Sequence, residues 1–284
     1  CDGDAAARMV VGQTESACRH GLVKSRQLWY HSRIMRCLIV SDIHGNLAAL
    51  DAVLADVNLD TVDRIWCLGD VVGYGPCPEE CISRVLEFSD YLCVAGNHDW
   101  AAISRISIAE FNPSAQVACR WTTEQLATDS RAYLASLPTR IMEDNCTLVH
   151  GSPREPIWEY IIYPSTAELN FQFFDTQLCF VGHTHAPAIF REETSTHKFE
   201  ISIPVPDHPI AIDDERLIIN PGSVGQPRDG DPNAAYMVFE PEARTLQYHR
   251  VPYDIASTQQ LMMERGLPES LISRLSFGWE ARVF

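Results

Sequence analysis

The sequence predicts an α/β (α+β) fold: two stacked, mixed β-sheets flanked by helices, a four-layer αββα sandwich. Three observations carry this. From Met35 onward, short apolar runs alternate with segments of helical period, as in RCLIV followed by LAALDAVLADV. Those runs are apolar almost without a break, the pattern of strands covered on both faces. In the last third, AIFREE, KFEISIP, ERLIIN, AAYMVFEP and TLQYHRV are short runs between turn residues, the pattern of antiparallel pairs in a second sheet.

The elements follow in order. RCLIV is a strand, and LAALDAVLADV repeats Leu and Ala or Val at helical spacing. RIWCLG is the second strand, and CPEECISRVLEF is a helix with Pro and Glu in its first turn. YLCVAG is the third strand and residues 113–137 read as helical. CTLVHG and LCFVGH are the fourth and fifth strands, with PSTAELNFQFF a helix between them. EPEART is a hairpin turn. After Tyr253, DIASTQQLMMERG and LPESLISRLSFG are helices, the second ended by Gly278. Residues 35–284 thus read as one domain, with C-terminal helices from about residue 254. Those helices either pack on the core or form a homodimer contact. Residues 1–34 mix small, polar and basic side chains without a period, and read as a poorly ordered extension, an upstream translation start or a cloning remnant. The alternative is a helix around LVKSRQLWY.

The 284 residues are 46% hydrophobic, enough for a sizeable core. No apolar run reaches the roughly 18 residues of a membrane span, and CDGDAAARMV lacks the apolar stretch of a secretory signal. A net charge of -16 argues against gathering long nucleic acid by phosphate neutralisation. It leaves room for a local phosphate site, because a bound metal ion dominates its own surroundings. Cys37, Cys67, Cys93 and Cys179 lie inside apolar runs, and the CxxxC pair Cys77 and Cys81 lies at a helix start. This is the usage of a reduced, cytoplasmic protein without a cysteine-bound zinc.

Taken alone, GNHDW reads as a surface turn, a poor helix and a poor strand. The other strand ends change that. CLIV leads into Asp42 and His44, RIWCL into Asp70, YLCVA into Asn97, His98 and Asp99, CTLV into His150, and LCFV into His183 and His185. In an open parallel sheet these ends share one edge, where ligands bind. Asp-x-His and His-x-His set two side chains on one side of an extended segment, and the neighbouring glycines allow tight turns. Oxygen and imidazole donors without thiolates suit Mn, Fe, Zn or Co rather than Ca alone. The donors are too many for one ion and fit two that share a carboxylate, about 3.5–4 Å apart.

In that order, DxH, GDxxG, GNHD, HG and GHTH resemble the calcineurin-like metallophosphoesterases, over about residues 35–230. INPGSVGQPRDG, and less specifically LPESLISRL, resemble the small YfcE-type phosphodiesterases within that superfamily. The resemblance implies two divalent ions (Mn, Fe, Zn, Ni or Co). Asp42, His44 and His185 would hold one, Asn97, His150 and His183 the other, and Asp70 would bridge them. It implies hydrolysis of a small phosphodiester by a hydroxide bridging the ions, in a locally positive site. His98 would be catalytic beside the leaving oxygen, protonated through pairing with Asp99, which orients it.

Arg228, Asn46 and Asn97 are the residues expected at the substrate, with the backbone amides of the 220–228 loop approaching the phosphate. Tyr74 either packs or shapes the substrate side. The alternatives within the superfamily are a protein or monoester phosphatase and a dinucleoside polyphosphatase. Those tend to carry GNHE where this chain has GNHD. The alternative from another class is a binding scaffold, as in a retromer subunit of this fold; that subunit departs from the metal-site histidines, which are intact here. His20, His31, His197, His208 and His249 read as uninvolved, Trp158, Met262 and Met263 as packing or surface contacts, and DGD at 229–231 as a turn rather than a calcium loop.

Overall fold

The computed structural model describes residues 35–193 and 198–279. The expectations for residues 1–34, with His20 and His31, and for His197 lie outside these residues. The described residues belong to one compact unit. The first half runs β1 (Cys37–Val40), α1 (Leu47–Asp56), β2 (Arg64–Cys67), α2 (Pro78–Val85), β3 (Tyr91–Cys93), α3 (Asn97–Ala102), α4 (Pro113–Gln125) and α5 (Thr128–Ser136). Next come β4 (Arg140–Glu143), β5 (Cys146–Val149), α6 (Pro164–Asn170), β6 (Leu178–Phe180), β7 (Ala188–Glu193) and β8 (Lys198–Ser202). The chain closes with β9 (Pro209–Ala211), β10 (Arg216–Asn220), β11 (Ala234–Glu240), β12 (Thr245–Val251), α7 (Ile255–Glu264) and α8 (Glu269–Arg274).

The strands form two mixed sheets, ordered β3-β2-β1-β11-β12-β9 and β4-β5-β6-β10-β7-β8. This corrects one expectation. The five strands that end on polar motifs are not one sheet: β1, β2 and β3 pair in the first, β5 and β6 in the second. The C-terminal strands are likewise divided, β11 pairing antiparallel to β1 and β10 parallel to β6. An apolar run reports that a strand is covered, not which strand lies beside it.

Alternation within β1 builds the layers. Leu38 and Val40 face Leu50 and Val53 of α1 and Ile82 of α2. Cys37 and Ile39 face the other way, into the layer between the sheets, with Trp66, Leu148, Phe180 and Ile219. Beyond the second sheet, Cys179, Phe190 and Ile218 pack under Ala167 and Phe171 of the α6 region. The order helix, sheet, sheet, helix is therefore the expected sandwich, and each central strand is buried on both faces.

Asn46 is corrected here. Its Oδ1 accepts from Ala49 N at 3.2 Å and its Nδ2 donates to Gly225 O at 2.9 Å, so it caps α1 and ties a loop instead of facing substrate. Three short elements escape the sequence pattern: β4 and β9, which are edge strands, and α3. The helix α3 forms where GNHDW reads as a poor helix former, because Asp99 in its first turn accepts from Gly96 N at 2.9 Å. The C-terminal helices pack on this chain's own core, where Met262, Leu271 and Ile272 meet Tyr74, Phe111 and Ala118. Met263 is exposed. Among the described residues no helix is long and apolar enough to cross a membrane. The eight described cysteines are buried and none is in a disulfide.

Candidate metal centre and substrate cavity

The polar strand ends of both sheets meet at one place. The segments after β1 and β2 stay joined past the strands, Asp42 N donating to Gly69 O at 3.1 Å and His44 N to Asp70 O at 2.8 Å. The 220–228 loop braces the same segment, with Val224 N on Ser41 O and Gly225 N on Asp42 O. Asp42, His44, Asp70, His183 and His185 all have positive φ, at 54°, 51°, 54°, 67° and 58°. Non-glycine residues enter that region rarely and at a cost of about 1–3 kcal/mol each. The side chains therefore converge from sharply turned backbone, not from extended segments as the spacing alone suggests.

Two separate donor groups result, and a third, His44, Asp70 and His98, overlaps both. Asp42, His44 and His185 form one, and Asp70, His150 and His183 the other. His183 and His185 thus part company, one to each group. Within the first, His44 Nε2 lies 3.0 Å from His185 Nε2, which is 3.3 Å from Asp42 Oδ1. Within the second, His150 Nε2 lies 3.1 Å from both Asn97 Oδ1 and His183 Nδ1. Asp70 Oδ2 stands between the groups, 3.6 Å from His44 Nε2 and 3.4 Å from His150 Nε2.

Backbone carbonyls orient the rings. His44 Nδ1 lies on Val72 O at 3.3 Å, His185 Nδ1 on Gln226 O at 2.6 Å and His150 Nδ1 on Leu68 O at 2.8 Å. His183 is reversed, its Nε2 on Trp158 O at 3.2 Å. A carbonyl only accepts, so each of those ring nitrogens carries the proton and the opposite nitrogen turns a lone pair inward. Between the neutral rings of His44 and His185, lone pair then faces lone pair at 3.0 Å. Asp42 Oδ1 and Asp70 Oδ2 are buried with no hydrogen-bond partner. Unpartnered carboxylate oxygens beside carbonyl-oriented imidazoles are a donor set that fits two divalent ions.

The electrostatics divide the cluster. Burial keeps His44, His183 and His185 well below the ordinary imidazole value, in the neutral ligating form. Burial, reinforced by Asp70, pushes Asp42 up to about 7. Burial also opposes ionising Asp70, yet His150, His98 and His44 hold it far below the usual carboxylate range. His150 resists burial and rises to about 9, mainly through Asp70. Asp70 is the anionic centre of the cluster.

Around this floor is a cavity of about 290 Å³, lined by Asn97, His98 and Arg228 and by the aromatic Tyr74, Phe111, Trp158 and Tyr160. Arg228 reaches Tyr74 OH at 3.3 Å and Gln226 Oε1 at 3.0 Å. Gln226 Oε1 also accepts from Arg274 of α8 at 2.9 Å. The loop's backbone amides do not approach the cavity as expected, because they brace Ser41, Asp42 and His185.

Asp99 also differs from expectation. Its carboxylate accepts from the backbone of Asp70 at 2.8 Å, Gly96 at 2.9 Å and Val72 at 3.2 Å, and so positions the Asp70 turn instead of the His98 ring. His98 Nδ1 meets Cys119 Sγ at 3.5 Å, and burial pushes the imidazole down to about 4 rather than keeping it protonated. Trp158 is corrected from a packing residue to a cavity wall whose carbonyl holds His183. Tyr160, stacked on His183 at 3.9 Å and 14°, and Cys119 carry no sequence signal of their own. The aromatic density of WEYIIY was the available hint. His208 and His249 stand apart from the cluster, bonded to Pro206 O and Asp207 respectively. The 229–231 segment is a turn, Asp231 Oδ1 accepting from Asn233 N at 2.9 Å.

Gly96 has a strict spatial requirement, since a Cβ there would collide with Asp70 Oδ1. Gly96→Ala should displace the Asp70 carboxylate, lowering metal content and the melting temperature together. Metal analysis and thermal unfolding of that variant check this; wild-type values in both would refute the close approach.

The sequence profile of the calcineurin-like phosphoesterase superfamily domain matches residues 35–244. An uncharacterized protein of Methanocaldococcus jannaschii is 37% identical over 246 residues, 84% of this chain and 97% of that one. The crystal structure of a metallophosphoesterase from Sphaerobacter thermophilus aligns with a TM-score of 0.79 at 53% identity, over 86% of this chain and 99% of that one. A symmetrical bis(5'-nucleosyl)-tetraphosphatase of Pseudomonas fluorescens is 35% identical over 80 residues, only 25% of this chain and 28% of that one. The profile match runs from β1 through β11, across both sheets and every residue of the two donor groups, and the chain belongs to the calcineurin-like phosphoesterase superfamily.

Proposed function

We propose that this protein is a metal-dependent phosphodiesterase that hydrolyses a small phosphodiester. The observation that supports it most is the pair of donor groups facing one another across Asp70, with two buried carboxylate oxygens left without hydrogen-bond partners. Asp42, His44 and His185 would hold one ion, Asn97, His150 and His183 the other, with Asp70 between. The ions would act as Lewis acids on the phosphoryl group and activate water.

The chain's own residues do the rest. Arg228, steadied by Tyr74 and Gln226, offers its guanidinium to a phosphate oxygen. The Asn97 amide keeps Oδ1 near His150 and can donate from Nδ2 to the same group. With Nδ1 against Cys119, His98 has Nε2 left to donate an N–H to the departing oxygen, where charge develops. Cysteines buried as small apolar side chains support a reducing, cytoplasmic setting.

Bis-p-nitrophenyl phosphate should be hydrolysed faster than p-nitrophenyl phosphate with Mn²⁺, Ni²⁺ or Zn²⁺, and not at all in EDTA. Preference for the monoester would select a phosphatase instead. The tetraphosphatase likeness supports a dinucleoside polyphosphatase as the second reading, tested by the same assay with diadenosine tetraphosphate. Bound metal with no turnover on any of these would select the binding scaffold.

A further inference from the structure

We infer that Arg274, on α8, is a positioning residue for the substrate phosphate: it acts through Gln226 to aim the Arg228 guanidinium, and so makes the C-terminal helices part of the substrate site. This rests on the phosphoesterase reading and extends that site beyond residues 35–244, the stretch the superfamily profile matches. Arg228 lines the cavity. Its Nη2 donates to Gln226 Oε1 at 3.0 Å, and Arg274 Nη1 donates to the same oxygen at 2.9 Å. A guanidinium only donates, so the two arginines together dictate that the Gln226 amide turns its oxygen, not its NH₂, toward them. The backbone of Gln226 is fixed separately. Its N donates to Ser223 Oγ at 2.8 Å, and its O accepts from His185 Nδ1 at 2.6 Å. Its side chain is what remains to be placed, and Arg274 places it from α8 whether or not substrate is bound.

The helix that carries Arg274 is firmly seated. Leu271, Ile272 and Leu275 share one apolar cluster with Tyr74. Ser270 Oγ lies 2.7 Å from Ser114 Oγ of α4, and Gln259 of α7 donates to Ile272 O at 2.7 Å. Gly230 N donates to Gly278 O at 3.0 Å, which ties the chain just after Arg228 to the chain just after α8. Tyr74 and Gln226, two partners of Arg228, therefore both rest on α8, one by apolar contact and one through Arg274. A long arginine side chain loses rotamer freedom when it grips a phosphate, and holding it beforehand moves that cost from binding to folding. Arg274 itself is only 8% exposed. A buried residue that served packing alone would be as well filled by an apolar side chain of similar length. Here the buried guanidinium is aimed at the amide oxygen that the substrate-side arginine also uses.

The test is Arg274→Met in the Mn²⁺-loaded full chain, a change that keeps apolar bulk and removes the donor. KM for bis-p-nitrophenyl phosphate should rise about ten-fold, the scale of one charge-assisted hydrogen bond, while kcat falls much less. Calorimetric affinity for inorganic phosphate should weaken by the same factor, with metal content unchanged. Arg274→Lys, which can still donate to Gln226 Oε1, should recover most of the loss. Gln226→Met leaves the backbone carbonyl on His185 and should match Arg274→Met, and the double variant should be no worse than either single one. Thermal unfolding checks each fold, and Gln226→Met with Arg274→Lys carries the test if Arg274→Met unfolds. Unchanged KM and phosphate affinity would overturn the positioning role. So would kcat falling as far as KM rises, or losses that add in the double variant, since either marks a general structural role. Phosphate binding that weakens in the variants while the wild type hydrolyses no ester would support the positioning role and defeat the phosphoesterase reading. Hydrolysis with phosphate affinity unmoved by the variants would defeat only the positioning role.

Discussion

Asp70→Asn should reduce diester hydrolysis by about 10³-fold or more, or some 4 kcal/mol in the barrier, and should lower metal content below that of the wild type. The substitution preserves shape, so the effect isolates charge. Asp70 Oδ1 accepts from His98 N at 2.8 Å, a bond an amide oxygen can retain. Oδ2 is the buried oxygen without a hydrogen-bond partner that stands between His44 and His150. An NH₂ in its place turns donor hydrogens toward the point where both groups need an anion. One carboxylate, Asp42, then remains in the two groups to offset two divalent ions. Metal per chain by plasma mass spectrometry and kcat on bis-p-nitrophenyl phosphate are the measurements. Two ions retained with near-wild-type turnover would show that Asp70 is not the bridge.

His98→Ala should leave the metals in place and cost about 10²–10³-fold on diesters with alkyl leaving groups, the usual scale for removing one hydrogen-bond donor aimed at charge that develops in the transition state. The loss should be much smaller on p-nitrophenyl esters, whose leaving group needs little help. His98 is the residue to watch because its position permits two roles. It lines the cavity beside Arg228, as a leaving-group donor must. It also forms a close triad with His44 and Asp70, as a ligand would. Equal loss across leaving groups, together with loss of bound metal, would assign it as a ligand.

Much of this molecule is legible in its sequence. The apolar runs and helical periods locate β1, β2, β3, β5 and β6 and the helices α1, α2, α4, α5 and α6, because covered positions are forced to be apolar. The motif donors Asp42, His44, Asp70, Asn97, His150, His183 and His185 are legible for the complementary reason. A polar side chain directly after a buried strand is out of keeping with the core, and a repeated departure at successive strand ends points to one site. Less legible are β4, β9 and α3, which are short, lie at edges or depend on a single capping contact, so their periodicity is weak.

Misreadings arise where a residue's neighbour is distant in the chain. Asn46 sits beside a motif histidine yet serves as a helix cap, because Ala49 and Gly225 are what lie within its reach. Asp99 adjoins His98 yet binds the backbone of Asp70, Gly96 and Val72. Trp158 and Tyr160 belong to the cavity only because their loop folds over His183.

The sequence by itself therefore determined the layered fold class and the chemical identity of the donors, since both follow from local pattern and side-chain type. Only the tertiary structure decided which strands pair, which group each histidine joins and which aromatic rings wall the cavity. Those depend on long-range hydrogen bonding within each sheet, and on left-handed turns at Asp42, His44, Asp70, His183 and His185 that surrounding contacts hold in place.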